Sequence, residues 1–194
     1  TAGFILAHPQ GTIDDNGFAF WNSGLFGESI AIDDIGFLSN LIDTISSQYN
    51  INQDKIYSTG MSNGGFMSYK LACELSDKIA AVASVTGSMN ESQINSCFPQ
   101  QSTPVMQIHG TTDLVVLYEG NEFLETLPVE DVVSFWVNFN QCNPEPILTN
   151  VPDVNILDLS QAEHYLYDGG LNGSSVEFYK IINGGHTWPG ALIP

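Results

Sequence analysis

Ser62 stands in Gly60-Met61-Ser62-Asn63-Gly64, a G-x-S-x-G pattern. A serine hydroxyl is a weak nucleophile at its ordinary pKa and attacks a carbonyl carbon only when a base takes its proton. The pattern suits a serine that projects from a sharp turn between a strand and a helix. Neighbouring side chains would clash in such a turn, so Gly flanks the nucleophile. The helix that follows aims its N-terminus at the reacting centre and favours the negative charge of a tetrahedral intermediate. The N–H of Asn63 is the expected oxyanion donor. With 18 Gly in the chain, the bare pattern also fits an ordinary turn, and context has to decide.

A base near neutrality is needed, and His is the natural one. The four are His8, His109, His164 and His186. For a serine on this kind of turn the chain order is nucleophile, acid, His. That order excludes His8, and His109 leaves little room for an acid after Ser62. His186 lies in the Asn183-Gly184-Gly185 loop beyond a strand at 176–182. Asp113 lies in Gly110-Thr111-Thr112-Asp113 beyond a strand at 105–109. Ser62, Asp113 and His186 then share one edge of a parallel sheet, the edge where such sheets carry their sites. A loop Asp such as Asp113 is usually a turn former, and Asp131, Asp153, Asp158 and Asp168 are rival acids, but position favours Asp113. His164, placed in a loop before the last strand, is the rival base. His109 reads as a packing or supporting residue. Trp188, two residues past His186, is expected to wall the acyl or alcohol pocket. Trp21 is a weaker candidate, and Trp136 reads as core.

These residues need strands and helices to carry them. Apolar strands alternate with amphipathic helices, which predicts a largely parallel sheet of the α/β class. Residues 4–7 read as the first strand and 14–29 as a long loop. Phe37, Leu38, Leu41, Ile42 and Ile45 share a helical face, capped by Asp33 or Asp34. A turn at 51–54, a β-type run at 55–59 and a helix at 65–75 surround Ser62. Residues 79–85 read as a strand buried on both faces. Pro128 opens a helix bearing Val132, Val133, Trp136 and Phe139. Residues 143–153 read as loop.

The 194 residues fit one domain, 43% of them hydrophobic and only 13% charged. Four Lys and no Arg oppose 22 acidic residues, for a net charge of −18. Nothing cationic could track phosphates, so nucleic-acid binding is not expected. No apolar run spans a bilayer, and no membrane association, cofactor or metal is expected. Asp14 and Asp15 could meet a calcium ion but lack EF-hand spacing, and solvated carboxylates are the simpler reading. Cys73 and Cys97 each lie near the end of an element and are the preferred disulfide. Three reduced thiols are the alternative.

Thr59-Gly60-Met61-Ser62-Asn63-Gly64-Gly65, Ile108-His109-Gly110-Thr111-Thr112-Asp113 and Gly184-Gly185-His186-Thr187-Trp188-Pro189-Gly190 resemble the polyhydroxybutyrate depolymerase/feruloyl esterase group of α/β-hydrolases. Asp33-Asp34-Ile35-Gly36-Phe37 and Trp21-Asn22 are similar too. The resemblance implies an α/β-hydrolase sheet flanked by helices and a secreted or periplasmic serine esterase acting on polyesters or aryl esters. It carries over Ser62 as nucleophile, Asp113 as acid and His186 as base. In that group an earlier strand ending in a His-Gly loop supplies the second oxyanion donor, and a helix closes the domain after the His loop. The resemblance here begins at the following strand, so residues 1–194 are expected to be one partial catalytic domain. The group's partner for Cys142 is also missing, at Tyr167-Asp168-Gly169-Gly170. The alternatives are a peptidase on the same fold and an inactive binding domain.

Overall fold

The computed structural model describes residues 3–13, 17–25 and 32–191. Short strands β1 (Thr12–Ile13) and β2 (Ala19–Phe20) pair antiparallel. Helix α1 (Asp34–Gln48) leads to β3 (Tyr57–Met61), α2 (Asn63–Glu74), β4 (Ala81–Val85), α3 (Glu91–Ser96), β5 (Val105–Gly110) and α4 (Val129–Phe139). An antiparallel pair, β6 (Ile147–Asn150) and β7 (Gln161–Tyr167), precedes β8 (Val176–Ile182). The six-stranded sheet runs β3-β4-β5-β8-β7-β6. β3, β4, β5 and β8 are parallel, and β7 joins β8 antiparallel. This is the expected α/β-hydrolase-type sheet with flanking helices.

Local chemistry explains the helices. Asp33 caps α1 by accepting from the Gly36 N–H at 2.7 Å, which satisfies one orphan donor of the first turn. Pro128 opens α4 with Glu130 and Asp131 in its first turn, where carboxylates complement the helix dipole. α4 buries Val132, Val133 and Trp136, and α2 buries Phe66, Met67, Tyr69 and Leu71. The rings of Tyr69 and Trp136 lie 6.0 Å apart, so the two helices meet over the same sheet face. Val82, Val105, Val176 and Phe178 rise from the strands into that layer. Each such side chain contributes about 1.5–3 kcal/mol on burial.

The other sheet face differs. Ala81, Ala83, Met106 and Ile108 are half-buried there, and Tyr57 and Thr59 are exposed. The reading of residues 79–85 as buried on both faces is therefore corrected. The strand starts at Ala81 and alternates, because α2 and α4 both cover one side.

Four further expectations change. Residues 4–7 form no strand and lie in exposed, irregular chain. An apolar run becomes a strand only beside another strand, and none of the described strands pairs with it. Residues 143–153 are not all loop, since β6 pairs there with β7, Ile147 opposite Leu166. His164 is not in a loop but within β7. Helix α3 was also not foreseen; it is held by a capping box between Asn90 and Gln93. The region 14–29 is broken by β2, while Asp14 and Asp15 lie outside the described residues. Cys73 and Cys97 form a disulfide, tying the end of α2 to the end of α3. Cys142 is free and buried. No helix among the described residues is long and apolar enough to cross a membrane.

Candidate active site

Ser62 follows β3 directly and takes φ 55° and ψ −121°. A non-glycine residue in that region costs on the order of 1–3 kcal/mol and persists only where the surroundings impose it. They do so here. The Ser62 N–H donates to the Val85 carbonyl at 2.8 Å, and the Ser62 carbonyl accepts from Gly65 and Phe66. A Cβ at Gly60 would sit 2.5 Å from the Gly64 carbonyl carbon, so the turn closes only with glycine there. The Ser62 side chain does not cap α2. Its hydroxyl is left for other work.

Asn63 is the first residue of α2, where backbone N–H groups have no partner within the helix. Its side chain has a second task, which the sequence reading missed. Oδ1 accepts from the Trp21 N–H at 2.8 Å, and Nδ2 donates to the Trp21 carbonyl and the Ser23 hydroxyl at 3.0 Å each. Gln93 donates to the Ser23 carbonyl and Asn90 to the Gly24 carbonyl. A strap at 21–25 is thereby pinned beside Ser62. Its Leu25 packs with Phe66 of α2 and Val116. Nothing local in the sequence signals grips that reach across 40 to 70 residues.

Asp113 and His186 come from the loops after β5 and β8, neighbouring parallel strands. The loops are stitched together. Thr111 N–H donates to the Ile181 carbonyl, and Thr112 donates to the Gly184 carbonyl through both its N–H and its hydroxyl. A Cβ at Gly110 would collide with the Gly184 carbonyl, so glycine permits this approach. Asp113 Oδ1 accepts from the N–H groups of Val115 (2.8 Å) and Val116 (2.9 Å). Oδ2 remains for His186 Nδ1, at 2.8 Å. The Asp113 side chain is fully buried and that of His186 is 18% exposed. Burial pushes the Asp113 carboxyl up. The His186 hydrogen bond, the two backbone N–H groups and the charge His186 can carry outweigh burial and hold it below the ordinary carboxylate range. In the neutral ring, a proton on Nδ1 facing the carboxylate leaves Nε2 free to act as a base.

The structure thus joins Asp113 to His186 and places Ser62 at the same sheet edge, with β4 between β3 and β5. Among the described residues Ser62 and His186 share no hydrogen bond, and in unliganded sites such bonds are often long. Trp188 is 47% exposed beside the His loop, and Leu114 and Val115, next to Asp113, are exposed as well. These two apolar neighbours were missed, although an apolar pair in a loop after the acid is a readable signal.

The rivals sit elsewhere. His164 bonds Glu177 at 2.9 Å and stacks on Tyr179 in mid-strand. Asp131 lies in the first turn of α4, Asp153 and Asp158 make local turn hydrogen bonds, and Asp168 is exposed. Trp136 is core, and Trp21 is half-buried and stacks on Phe37. His8 lies in the exposed segment at the start. Among the described residues no three His, Cys, Asp or Glu gather as a metal site would require.

Known proteins agree with this architecture. Feruloyl esterase B of Piromyces equi is 30% identical over 95% of this chain, which spans 34% of that protein's length. A poly(3-hydroxyoctanoate) depolymerase of Pseudomonas fluorescens is 27% identical over 59% of the chain and 43% of its own length. The solved acetyl xylan esterase from Aspergillus awamori shares the fold, with a TM-score of 0.60 at 16% identity over 87% of this chain and 66% of its own. The sequence profile of the phospholipase/carboxylesterase family matches residues 26–127, more than half of the chain. This chain belongs to that family of α/β-hydrolases.

Proposed function

We propose that this chain is a serine carboxylic-ester hydrolase acting on aryl, feruloyl-like esters or on polyesters. The observation that carries the reading is the part-buried Asp113–His186 hydrogen bond at the carboxyl end of the parallel strands, the end that also holds Ser62. His186 Nε2 takes the proton of the Ser62 hydroxyl as Oγ attacks the ester carbonyl. The Asn63 N–H, at the start of α2, stabilises the oxyanion. His186 then protonates the leaving alcohol, and an acyl group remains on Ser62. Water, deprotonated by His186, releases the acid and restores the serine. Asp113 keeps the imidazole oriented and stabilises its cationic form.

Substrate class follows from the surroundings. Trp188, Leu114 and Val115 offer an apolar rim, suited to an aromatic ring or an aliphatic polyester chain. A net charge of −18 disfavours anionic substrates. The name of the relative matched over 95% of the chain favours aryl esters. The Cys73–Cys97 disulfide fits an oxidising compartment and hence a secreted or periplasmic enzyme.

The test is a panel of methyl ferulate, p-nitrophenyl esters of rising acyl length, a hydroxyalkanoate oligomer and a matched peptide. Ester turnover that Ser62→Ala abolishes is expected. Cleavage of the peptide alone would favour a peptidase, and folded protein that turns over nothing would favour a binding role.

A further inference from the structure

We propose that His109 is a positioning residue for this reaction: as a neutral ring protonated on Nε2, it holds the Asp113–Val116 turn and so fixes the carboxylate that orients His186. This rests on the triad reading above and adds to it a residue that touches neither substrate nor nucleophile.

The argument begins at Tyr69, whose side chain has no exposure. Burial pushes its hydroxyl far above the ordinary range, so it stays protonated. It donates to Gln107 Oε1 at 2.5 Å. The Gln107 amide nitrogen is then the donor side, and it faces the Gly87 carbonyl and His109 Nδ1, each at 2.9 Å. Nδ1 must accept and therefore carries no proton. On the far side of the ring, Nε2 lies 2.9 Å from the Val116 carbonyl. A carbonyl only accepts, so Nε2 carries the proton. Both ends of the ring require the same tautomer. A cationic ring would set an Nδ1–H against the Gln107 N–H. Burial also pushes His109 down and favours the neutral form, against the Val116 bond and the nearby Asp113 charge, which favour the cation.

The consequence lies in Val116. Its N–H holds Asp113 Oδ1 while its carbonyl is held by His109. Its side chain packs against Leu25 and against Phe66, four residues past Ser62. His109 Nε2 also lies 3.5 Å from Asp113 Oδ2, the oxygen that meets His186. Removing the imidazole would leave the Val116 carbonyl and the Gln107 N–H unpaired in a space with no solvent, and unpaired buried groups drive rearrangement. The carboxylate would lose its fixed direction before the fold lost its core.

The test compares the full chain with His109→Gln and His109→Phe for kcat and KM on one p-nitrophenyl ester. The Gln amide nitrogen can reach the Nε2 position and donate to Val116, whereas Phe fills the space without donating. His109→Phe is expected to lose about 10- to 100-fold in kcat with KM within about twofold, and His109→Gln to stay within about threefold of the parent. A folded His109→Phe with full kcat, or a His109→Gln as impaired as the Phe variant, overturns the proposal. If His109→Phe does not fold, His109→Met takes its place: its flexible apolar side chain fills the space without donating to Val116, so the same kcat loss is expected and unchanged kcat overturns the proposal. Independently, ¹⁵N NMR of the parent imidazoles should show His109 protonated on Nε2 alone, and a proton on Nδ1 overturns the proposal without reference to activity. Ser62→Ala in the same assay reports on the triad itself. Parent turnover equal to that of Ser62→Ala sinks the triad, whereas a triad that holds beside an unimpaired His109→Phe sinks only the positioning role.

Discussion

The proposed acid–base pair, Asp113 and His186, and the proposed nucleophile, Ser62, are supported by different means. Asp113 and His186 leave β5 and β8, adjacent strands in the interior of the sheet, and their loops are joined largely through backbone groups. Ser62 leaves β3, which among the described residues is an edge strand of that sheet. Its surroundings are held by polar side chains that reach from afar: Asn63 and Gln93 on the strap, Asn90 on Gly24, Lys70 on the Asn22 carbonyl and Asp34 on the Asn22 N–H. The interior half draws its order from sheet geometry. The edge half draws it from a few side chains, so point substitutions should separate the two.

The largest effect belongs to the interior half. In Asp113→Asn an amide NH₂ facing His186 Nδ1 forces the ring to the tautomer that cannot accept the serine proton. kcat is expected to fall by about 10⁴-fold with little change in fold stability, as read from steady-state kinetics beside a melting curve. Activity within about tenfold of the parent would show that His186 does not need this carboxylate.

Next comes the disulfide, which supports the edge half by tying α2 to α3, whose capping residues hold the strap. The joined cysteines are 24 residues apart, and loop-closure entropy then gives about 3 kcal/mol. The double variant Cys73→Ser with Cys97→Ser should lose that much in urea unfolding. A loss below about 1 kcal/mol would assign the edge half's stability elsewhere.

Asn63→Ala keeps the backbone N–H and removes the side chain's three hydrogen bonds to the strap. A loss of about 2 kcal/mol is expected, with faster hydrogen exchange confined to residues 21–25. Exchange that rises equally in the 110–116 loop would erase the distinction between the halves.

The smallest effect is on pH. The buried His109 titrates below its unfolded value of about 6.5. Below that pH the unfolded chain binds a proton that the folded chain refuses, so stability falls as pH drops, by at most about 1.4 kcal/mol per unit. The facing groups are Asp113 and His186. Asp113, depressed in the fold, keeps its own contribution until the pH falls below the ordinary carboxylate range. Between about pH 6.5 and 5 the melting temperature should therefore decline less steeply in His109→Gln than in the parent.

The interior half was also the more legible one. Asp113 and His186 each follow a strand whose apolar character is local, and chain order distinguishes acid from base. The 105–109 and 176–182 strands stand in the fold almost as read. Residues 4–7 carry the same apolar signal but have no described strand beside them, and pairing is not written in a single run. β6 and β7 escaped notice because neither has a buried apolar face: β6 is exposed throughout, and β7 is half-exposed with Glu163 and His164 inside it. The strap of the edge half was invisible for the same physical reason that it is fragile. A side-chain amide that grips backbone 42 residues away leaves no periodicity behind.

The central claim is that Ser62 is an activated nucleophile, and covalent labelling tests it most directly. A fluorophosphonate probe should add one equivalent to the folded chain, mapped to Ser62 by peptide mass spectrometry and greatly slowed in His186→Ala. Label on another serine, or none on folded protein, would contradict the account.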